Sequence, residues 1–316
     1  IRLPKKNNLQ QTNCIVILGP TASGKTHLAC RLALHLNGEI ISADSRQVYK
    51  RLNIGTGKDL DEYTVNGKTI PYHLIDIVEP GEQFYLHQFI AGLKKSFDQI
   101  RNAHKLPIIC GGTGLYLDAL RKDFSLTQVP EDPVFRKKME SLPKEELIAQ
   151  LNSYPERFTQ QVDRHSKKRL LRGIEIANYF SLGNPVPEKT ERPYRPLYIG
   201  LVVSPEERKQ RITRRLHQRL AGLIEETEAL LKEGITHERL AFFGLEYKFA
   251  SLFLLQKITK EELMVQLETA IFQFAKRQMT WFRKMEKEGV TIHWVKPDQD
   301  VRQLVKQLLT AEESSS

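Results

Sequence analysis

Apolar residues along the chain repeat with two different periods, which together predict alternating strands and helices. Short, mainly apolar stretches, typical of strands, occur at residues 14–18, 39–43, 72–78, 106–110, 197–203 and 290–295. Residues 84–101 instead carry Leu86, Phe89, Leu93 and Phe97 at helical spacing. We therefore expect an α/β fold in which helices flank a parallel sheet.

Residues 121–195 differ from the rest of the chain because their apolar period is helical only. The stretch closes in a proline-rich linker at 183–196. We expect an all-helical insertion at 121–195 within an α/β catalytic domain formed by 1–120 and 196–316. The insertion carries the basic residues Arg164, Lys167, Lys168, Arg169 and Arg172. A basic helix is commonly a solvated surface, but its place in a linked insertion favours a binding lobe.

The most specific motif lies where the first strand ends and the first helix begins. Residues 19–26 match the phosphate-loop pattern G-x-x-x-x-G-K-[ST] in its required strand-to-helix context. Such a loop points N–H groups at phosphate oxygens, while Lys25 adds charge and the Thr26 hydroxyl suits Mg²⁺. The motif predicts a P-loop fold with a diphosphate site formed by Gly19, Pro20, Thr21, Ala22, Ser23, Gly24, Lys25 and Thr26. It does not distinguish a nucleotide from a prenyl diphosphate.

Other polar residues follow predicted strands, whose carboxyl ends line the ligand crevice of a parallel sheet. Asp44 is expected in the same crevice as Lys25, where a carboxylate either binds Mg²⁺ or acts as a base, and the spacing supports both roles. Asp76 lies within its apolar run, which favours a structural role over metal binding, and His73 is expected to be a packing residue. Glycines within residues 111–114 permit close approach to a ligand or a tight turn.

Two capping boxes mark the starts of the long C-terminal helices. Ser204 and Glu207 open a helix with six basic residues, of which Arg211 and Arg215 are one turn apart. Because this helix follows a sheet strand, we expect at most two of the six to clamp a diphosphate.

The second capping box opens a helix in which Phe274, Trp281 and Phe282 alternate with basic residues. Aromatic and basic side chains together suit the stacking of RNA bases. Aromatics at helical spacing are equally expected in a core, so the sequence leaves both roles open.

Charge and cysteine usage narrow the expected partners and compartment. The formal net charge is +10 and the pI is about 9.4, which favours a polyanionic partner such as nucleic acid. No apolar run approaches the ~18 residues of a membrane span, and the first residues do not resemble a signal peptide. Cys14, Cys30 and Cys110 lack disulfide or metal spacing and are expected to be buried free thiols. We expect a monomeric cytoplasmic protein without membrane contact.

Beyond the phosphate loop, an ordered set of motifs closely resembles the tRNA dimethylallyltransferases, also called tRNA isopentenyltransferases. The matching segments are 19–26, 44–49, 54–56, 73–76, 111–116, 169–172 with Glu175, 275–278, and Thr280 with Trp281. Many enzymes share a phosphate loop, whereas this ordered set is specific to one family. We expect the bacterial type, since no Cys/His zinc module follows Arg283.

The resemblance implies transfer of a dimethylallyl group from dimethylallyl diphosphate to tRNA, with release of diphosphate and with Mg²⁺ as cofactor. The acceptor would be the exocyclic amine of the adenosine 3′ to the anticodon, flipped out of its stack. Asp44 would be the base that assists this weakly nucleophilic amine. Thr21 would donate a hydrogen bond toward the leaving oxygen, Arg215 and Arg211 would bind the diphosphate, and Thr26 would bind Mg²⁺.

The resemblance also implies an RNA-binding surface, with the helical insertion gripping the anticodon stem. The residues that match the family's RNA-contacting stretches are Asp44, Ser45, Arg46, Gln47, Thr113, Lys168, Arg169 and Arg172. They include positions both in the α/β part and in the insertion.

The sequence departs from the family pattern at several positions. Gly57 and Asp59 replace alanine and proline, Leu245, Glu246 and Tyr247 replace a Tyr-Lys-Glu block, and Ile271 and Phe272 replace Thr-Arg. These changes bear on substrate choice and rate more than on reaction class, because the phosphate loop, Asp44 and Arg215 remain.

Three other functions are compatible with parts of the sequence. An adenylate isopentenyltransferase acting on free AMP, ADP or ATP shares the loop and the chemistry but does not need the insertion. A small-molecule phosphoryl-transfer kinase explains the loop but gives the insertion no task. A catalytically silent RNA-binding paralogue fits the C-terminal departures, although Asp44 and Arg215 speak against it. A tRNA prenyltransferase accounts for the loop, the insertion and the charge together.

Overall fold

Six parallel strands form the central sheet, seen in a computed structural model that describes residues 12–160, 162–189 and 192–310. The strands are β1 (Cys14–Leu18), β2 (Gly38–Ser42), β3 (Thr64–Val65), β4 (Lys68–Thr69), β5 (Tyr72–His73), β6 (Leu106–Gly111), β7 (Pro196–Leu201) and β8 (Ile292–Val295). Their order across the sheet is β5-β2-β6-β1-β7-β8, while β3 and β4 form a separate antiparallel pair. The first residues of the chain, on which the signal-peptide prediction rests, lie outside the described ranges.

Helices connect these strands and complete the α/β fold. They are α1 (Lys25–Leu36), α2 (Leu86–Asn102), α3 (Gly114–Asp118), α4 (Pro133–Glu140), α5 (Lys144–Asn152), α6 (Glu156–Thr159), α7 (Lys167–Ser181), α8 (Pro205–Lys232), α9 (His237–Phe243), α10 (Leu245–Leu254), α11 (Lys260–Lys287) and α12 (Arg302–Thr310). The predicted fold class, a parallel sheet with flanking helices, is confirmed. In the part of the chain that the structure describes, no helix combines the length and apolarity needed to cross a membrane.

The third predicted strand is much shorter than its apolar run. The sequence predicts a strand over 72–78, but only Tyr72 and His73 pair with β2. Leu74 and Asp76 have φ angles of 61° and 55°, and this left-handed backbone ends the strand. The remainder of the run is a loop that buries Leu74, Ile75 and Val78 but exposes Ile77, and an apolar pattern alone does not distinguish it from a strand.

The sheet and its first helix enclose all three cysteines. Cys14 on β1, Cys30 on α1 and Cys110 on β6 are buried and free, as predicted. Burial raises the pKa of each thiol to about 12. These cysteines are therefore packing residues of the core.

Residues Lys122–Arg192 form a compact unit of their own, distinct from the unit that contains the sheet. Its helices α4 to α7 pack around Met139, Leu147, Leu151, Leu170 and Ile174. The buried Glu175 carboxylate on α7 accepts hydrogen bonds from the Asp132 backbone N–H and from the Arg136 guanidinium, each at 2.7 Å. Among its described residues this unit contains no strand.

Candidate active site

The loop at 19–26 joins β1 to α1 and lines a cleft at the carboxyl end of the sheet. Gly24 is the N-cap of α1, no side chain of the described residues caps this helix, and its first turn carries no acidic residue. The N–H groups of this turn therefore suit an anion. The Lys25 ammonium donates to the Pro20 carbonyl oxygen at 2.8 Å, and burial lowers the pKa of Lys25. The Ser23 hydroxyl is buried and has no partner among the described residues.

Helix α8 lines the same cleft with positive charge. Its N-cap Ser204 accepts the backbone N–H of Glu207 at 3.1 Å, which is one of the two hydrogen bonds of the predicted capping box. Arg211, Arg215 and Arg219 follow at four-residue spacing and face the cleft. Arg211 forms an ion pair with Glu207 at 2.6 Å. Both arginines nominated from the sequence thus lie beside the phosphate loop, and their role as diphosphate ligands stays a prediction.

Asp59 joins two of these arginines and was not nominated as a site residue from the sequence. Its carboxylate lies 2.8 Å from Nη2 of Arg215 and also pairs with Arg219. Gly57 leaves room for this arrangement, since a Cβ there would lie 2.3 Å from Nη2 of Arg215. Gly57 and Asp59 are the two departures from the family pattern in this loop. The sequence showed the departures but not that both contact one arginine.

Glu226, near the other end of α8, anchors the loop that carries these departures. Its carboxylate accepts the backbone N–H groups of residues 53–55 at 2.9–3.1 Å and the Tyr247 hydroxyl at 2.5 Å. The same loop presents Thr56 to the cleft. One helix therefore supplies the arginines and also holds the loop that pairs with them. No local motif signals this contact, because it joins residues far apart in the chain.

Asp44 follows β2 and lines the cleft together with Lys25. Its Oδ1 accepts the backbone N–H of Arg46 at 2.9 Å, which fixes the carboxylate within a tight turn. The Ser45 N–H donates to the Thr113 hydroxyl at 3.1 Å and holds the end of β6 against this turn. The fold thus brings residues after three different strands to one place. That Asp44 acts as a base stays a prediction.

Gln278 on α11 connects the phosphate loop to the loop after β6. Its Oε1 accepts the Thr21 N–H at 2.8 Å, its Nε2 donates to the Gly112 carbonyl oxygen at 3.0 Å, and the side chain is buried. Gln278 belongs to segment 275–278, which resembles the family, but the sequence does not indicate what this side chain does. Its one distinctive feature in the sequence is that it is a glutamine on the otherwise apolar face of a helix, where a polar side chain needs a hydrogen-bond partner. Gln47 bridges in a similar way, donating to the Gly57 carbonyl oxygen at 3.3 Å.

A small pocket with an apolar wall opens beside Thr21 and Ala22. Its apolar wall consists of Ile54, Ile212, Leu216, Leu223 and Ile271. Arg215 and Glu246 border it, and burial raises the pKa of the Glu246 carboxyl. Ile271 stands where the family pattern has threonine, so this departure makes the pocket wall more apolar.

A wider cleft, of about 1540 Å³, contains Asp44 and Lys25 together with residues of α9, α10 and α11. Phe274 and Trp281 line it, whereas Phe282 is fully buried in the core. The sequence left stacking and packing open for all three aromatics. The structure makes Phe282 a core residue and places the other two at the cleft.

The basic residues nominated in the helical unit have different surroundings within that unit. Lys168 and Arg169 are exposed, and Arg169 pairs with Asp163 at 2.7 Å. Arg172 instead donates to the Glu175 carboxylate and to the Val129 carbonyl oxygen, which ties its guanidinium into the unit. The RNA contacts of these residues stay predictions.

Two polar residues in or near β5 are bonded to other side chains. This fits the structural role that the sequence favoured for both. Asp76 forms an ion pair with the buried Lys58 ammonium. Nε2 of His73 lies 2.7 Å from a Glu39 carboxylate oxygen. Across residues 12–160, 162–189 and 192–310, no three His, Cys, Asp or Glu side chains are grouped so that they could hold a metal ion.

Comparison with known proteins identifies the family. The chain matches the family model described as IPP transferase over residues 47–285 and the one described as Isopentenyl transferase over 12–72. It is 48% identical over 282 residues to tRNA dimethylallyltransferase 2 of Bacteroides fragilis, which spans 89% of this chain and 92% of that protein. It is 47% identical over 289 residues to tRNA dimethylallyltransferase 2 of Phocaeicola vulgatus, with 91% and 93% covered.

A solved structure shows the same fold. The full-length tRNA isopentenylpyrophosphate transferase from Bacillus halodurans aligns with a TM-score of 0.69 and 29% identity, covering 96% of this chain and 99% of that one. Together with the sequence matches, this likeness extends over nearly the whole chain. The chain therefore belongs to the tRNA dimethylallyltransferase (IPP transferase) family of transferases.

Proposed function

We propose that this protein transfers the dimethylallyl group of dimethylallyl diphosphate to the exocyclic amine of the adenosine 3′-adjacent to the anticodon in tRNA. The observation that carries the proposal is that Asp44, the phosphate loop and an apolar pocket adjoin one another in a member of this family. The apolar pocket suits a short prenyl chain. The wider cleft adjoins this site and is lined by the exposed aromatic Phe274 and by Arg277, side chains that suit the bases and phosphates of an RNA acceptor.

The loop and α8 supply what a leaving diphosphate needs. Charge gathers on the diphosphate as the bond to the prenyl group breaks, and preorganised N–H groups and cations stabilise that charge. Residues 22–26 provide the N–H groups, since the Thr21 N–H is bonded to Gln278, and Lys25 and Arg211 provide positive charge. Arg215 is already paired with Asp59, so a bound diphosphate competes with that carboxylate for the guanidinium.

Asp44 is placed to assist the acceptor. The adenine amine is a poor nucleophile because its lone pair is delocalised into the ring. Its nitrogen attacks the allylic carbon, the carbon–oxygen bond to diphosphate breaks, and the amine proton passes to the Asp44 carboxylate. The Arg46 N–H holds one oxygen of this carboxylate and thereby orients the other.

Mg²⁺ fits this site through Thr26 rather than through a carboxylate cluster. Thr26 lines the cleft at the start of α1, and no group of three ligating side chains occurs among the described residues. Mg²⁺ characteristically binds few protein groups together with substrate phosphates, so Thr26 and the diphosphate oxygens would hold it. When bound, the ion would add positive charge beside the leaving group.

The acceptor RNA would contact both units of the protein. In the sheet unit, residues 44–46 and Thr113 lie at the wide cleft, where a flipped adenosine would enter, and Gln47 lines the adjoining phosphate cleft. In the helical unit, Lys168 and Arg169 offer exposed charge for the phosphates of the anticodon stem. We infer that one chain acts on one tRNA and that the enzyme works in the cytoplasm with its substrate.

The test offers labelled donor to several acceptors in parallel. Radiolabelled dimethylallyl diphosphate and Mg²⁺ are incubated with unmodified anticodon stem-loop RNA, with AMP and with ATP, and each reaction is repeated with EDTA. We expect Mg²⁺-dependent label in the stem-loop alone. Label in AMP or ATP would place the protein among the free-nucleotide enzymes, and RNA binding without any label would show a silent paralogue.

A further inference from the structure

Phe242 is an exposed aromatic at the wide cleft to which the proposed chemistry gives no role. It lies at the end of α9 and is 45% exposed, whereas its neighbour Phe243 is fully buried against Tyr49. Gly244 follows with a φ of 148°, which favours glycine, and the chain turns there from α9 into α10. This turn leaves the Phe242 ring at the cleft.

Two guanidinium groups lie against the Phe242 ring. Arg46 is 4.5 Å and Arg239 is 4.8 Å from the ring centroid. Arg239 is fixed in place, because its Nε donates to the Pro80 carbonyl oxygen at 2.8 Å and it also contacts the Glu82 carbonyl oxygen. The ring is therefore held by neighbours and presents a preformed surface.

Arg46 differs from Arg239 in lacking a polar partner. Within the described residues, its guanidinium makes no ion pair or hydrogen bond, although it is partly buried and burial lowers its pKa. Its backbone N–H bonds the Asp44 carboxylate at 2.9 Å. The Arg46 and Phe242 pair thus adjoins the group proposed to act on the target adenosine.

We propose that Phe242 and Arg46 form a stacking shelf for the nucleobase that neighbours the target adenosine in the RNA. This inference rests on the proposed function, since it assumes an RNA acceptor. Proteins that read unpaired RNA stack splayed bases on aromatic rings and on arginine guanidinium planes. Flipping the target out of its stack leaves a neighbour with one uncovered face, and the shelf replaces that lost stacking.

The charges around the shelf match this occupant. Arg277 and Lys248 also line the wide cleft, so the phosphates on either side of the base would meet cations. Phe274, 40% exposed on α11, lines the same cleft. In the described part of the chain, Arg46, Lys248 and Arg277 form no ion pair, and an exposed aromatic beside such cations favours a nucleobase over a purely apolar partner.

The experiment compares Phe242→Leu with the wild type and with Phe253→Leu, the same change in a separate groove at the end of α10. Each protein is assayed on the intact anticodon stem-loop and on two analogues that lack the base on either side of the target adenosine. We expect Phe242→Leu to lower kcat/KM for the intact RNA roughly five- to a hundredfold, with an unchanged KM for the prenyl donor. Phe242→Tyr should retain the wild-type value.

The pattern across the RNAs separates stacking from a structural role. If the shelf holds a base, one abasic analogue should be equally poor for the wild type and for Phe242→Leu, since the partner of the ring is already missing. An unchanged kcat/KM for Phe242→Leu, or equal relative losses on the intact RNA and both analogues, would overturn the shelf. Failure of the wild type to label the intact RNA would instead overturn the proposed function, and the shelf with it.

Discussion

The two sides of the cleft are built in different ways. The phosphate side, which comprises residues 19–26 and the arginines of α8, relies on backbone N–H groups and on charge repeated along one helix. The side proposed to bind the base comprises residues 44–46, Thr113, Phe242, Phe274, Gln278 and Trp281, and it takes single side chains from separate segments. A phosphate is the same in every ligand, so a contiguous motif recognises it, whereas a nucleobase requires a surface assembled by the fold.

This contrast predicts which measured quantity each side controls. Substitutions on the phosphate side should change the affinity for the prenyl donor. Substitutions on the base side should change the rate of transfer or the use of RNA. Residues that contact both sides should change both quantities.

The largest effect is expected at Asp44. Asp44→Ala should lower the single-turnover rate about 10²- to 10⁴-fold, because the amine loses its base, while RNA affinity stays nearly unchanged. Rapid-quench transfer from labelled donor and RNA-binding anisotropy measure the two quantities. Asp44→Asn keeps an acceptor for the Arg46 N–H, so a normal rate in that variant would assign Asp44 to the turn rather than to proton transfer.

Lys25→Ala should have the next largest effect, and on donor affinity rather than on RNA affinity. Hydrogen bonds to charged groups contribute about 1.5–3 kcal/mol, so the loss of this group should raise the dissociation constant for diphosphate roughly ten- to hundredfold. Isothermal titration with diphosphate and Mg²⁺ measures it. Lys209→Ala, the same change on the exposed face of α8, is the control. Equal affinities for the two variants would contradict a diphosphate role for Lys25.

Gln278→Leu should disturb both sides at once. The substitution leaves the Thr21 N–H and the Gly112 carbonyl oxygen without their partner, which should lower the free energy of unfolding by about 1–3 kcal/mol. Urea unfolding measures this loss, and steady-state kinetics should show changes in both donor KM and kcat. Gln273→Leu, on the exposed side of α11, is the matched control. A change in stability alone would mean that Gln278 does not position Thr21 for catalysis.

Asp59→Asn should have the smallest effect and the opposite sign. Removing the carboxylate charge frees Arg215 and Arg219 for the diphosphate. Ion pairs that are partly exposed contribute about 0.2–1 kcal/mol, so donor affinity should rise by no more than about fivefold. Asp61→Asn changes an exposed acid of the same loop and should leave affinity unaltered. A weaker affinity in Asp59→Asn would show that Asp59 positions the arginines instead of competing for them.

The sequence predicted the phosphate side more completely than the base side. The loop at 19–26, the helix after it and the cap at Ser204 depend on neighbours within one or two turns, so short patterns suffice. The partners of Asp59 lie more than 150 positions away, and no local pattern specifies them. The aromatic residues of α11 illustrate the same limit. Helical spacing shows which of them share a face of the helix, but it does not show whether that face is buried or exposed.

The shortened β5 shows a second limit of sequence patterns. Its stretch is mainly apolar, although His73 and Asp76 interrupt it, yet Leu74 and Asp76 adopt left-handed backbone conformations that end the strand. The buried Lys58 ammonium, which bonds Asp76 and the Tyr49 carbonyl oxygen, stabilises this loop. A partly buried loop that is held by an ion pair therefore resembles a strand in its pattern of apolar residues.

The three buried thiols allow local opening of the fold to be measured without any added label, through their reaction with alkylating reagents. Cys14, Cys30 and Cys110 lie on adjoining elements of the core, and with each pKa at about 12 almost no thiolate is present at neutral pH. Only the thiolate reacts with alkylating reagents, so the folded chain should resist them. Cys110 borders the phosphate cleft at the end of β6. The rate at which Cys110 is alkylated therefore reports how often the carboxyl end of β6 opens beside this cleft.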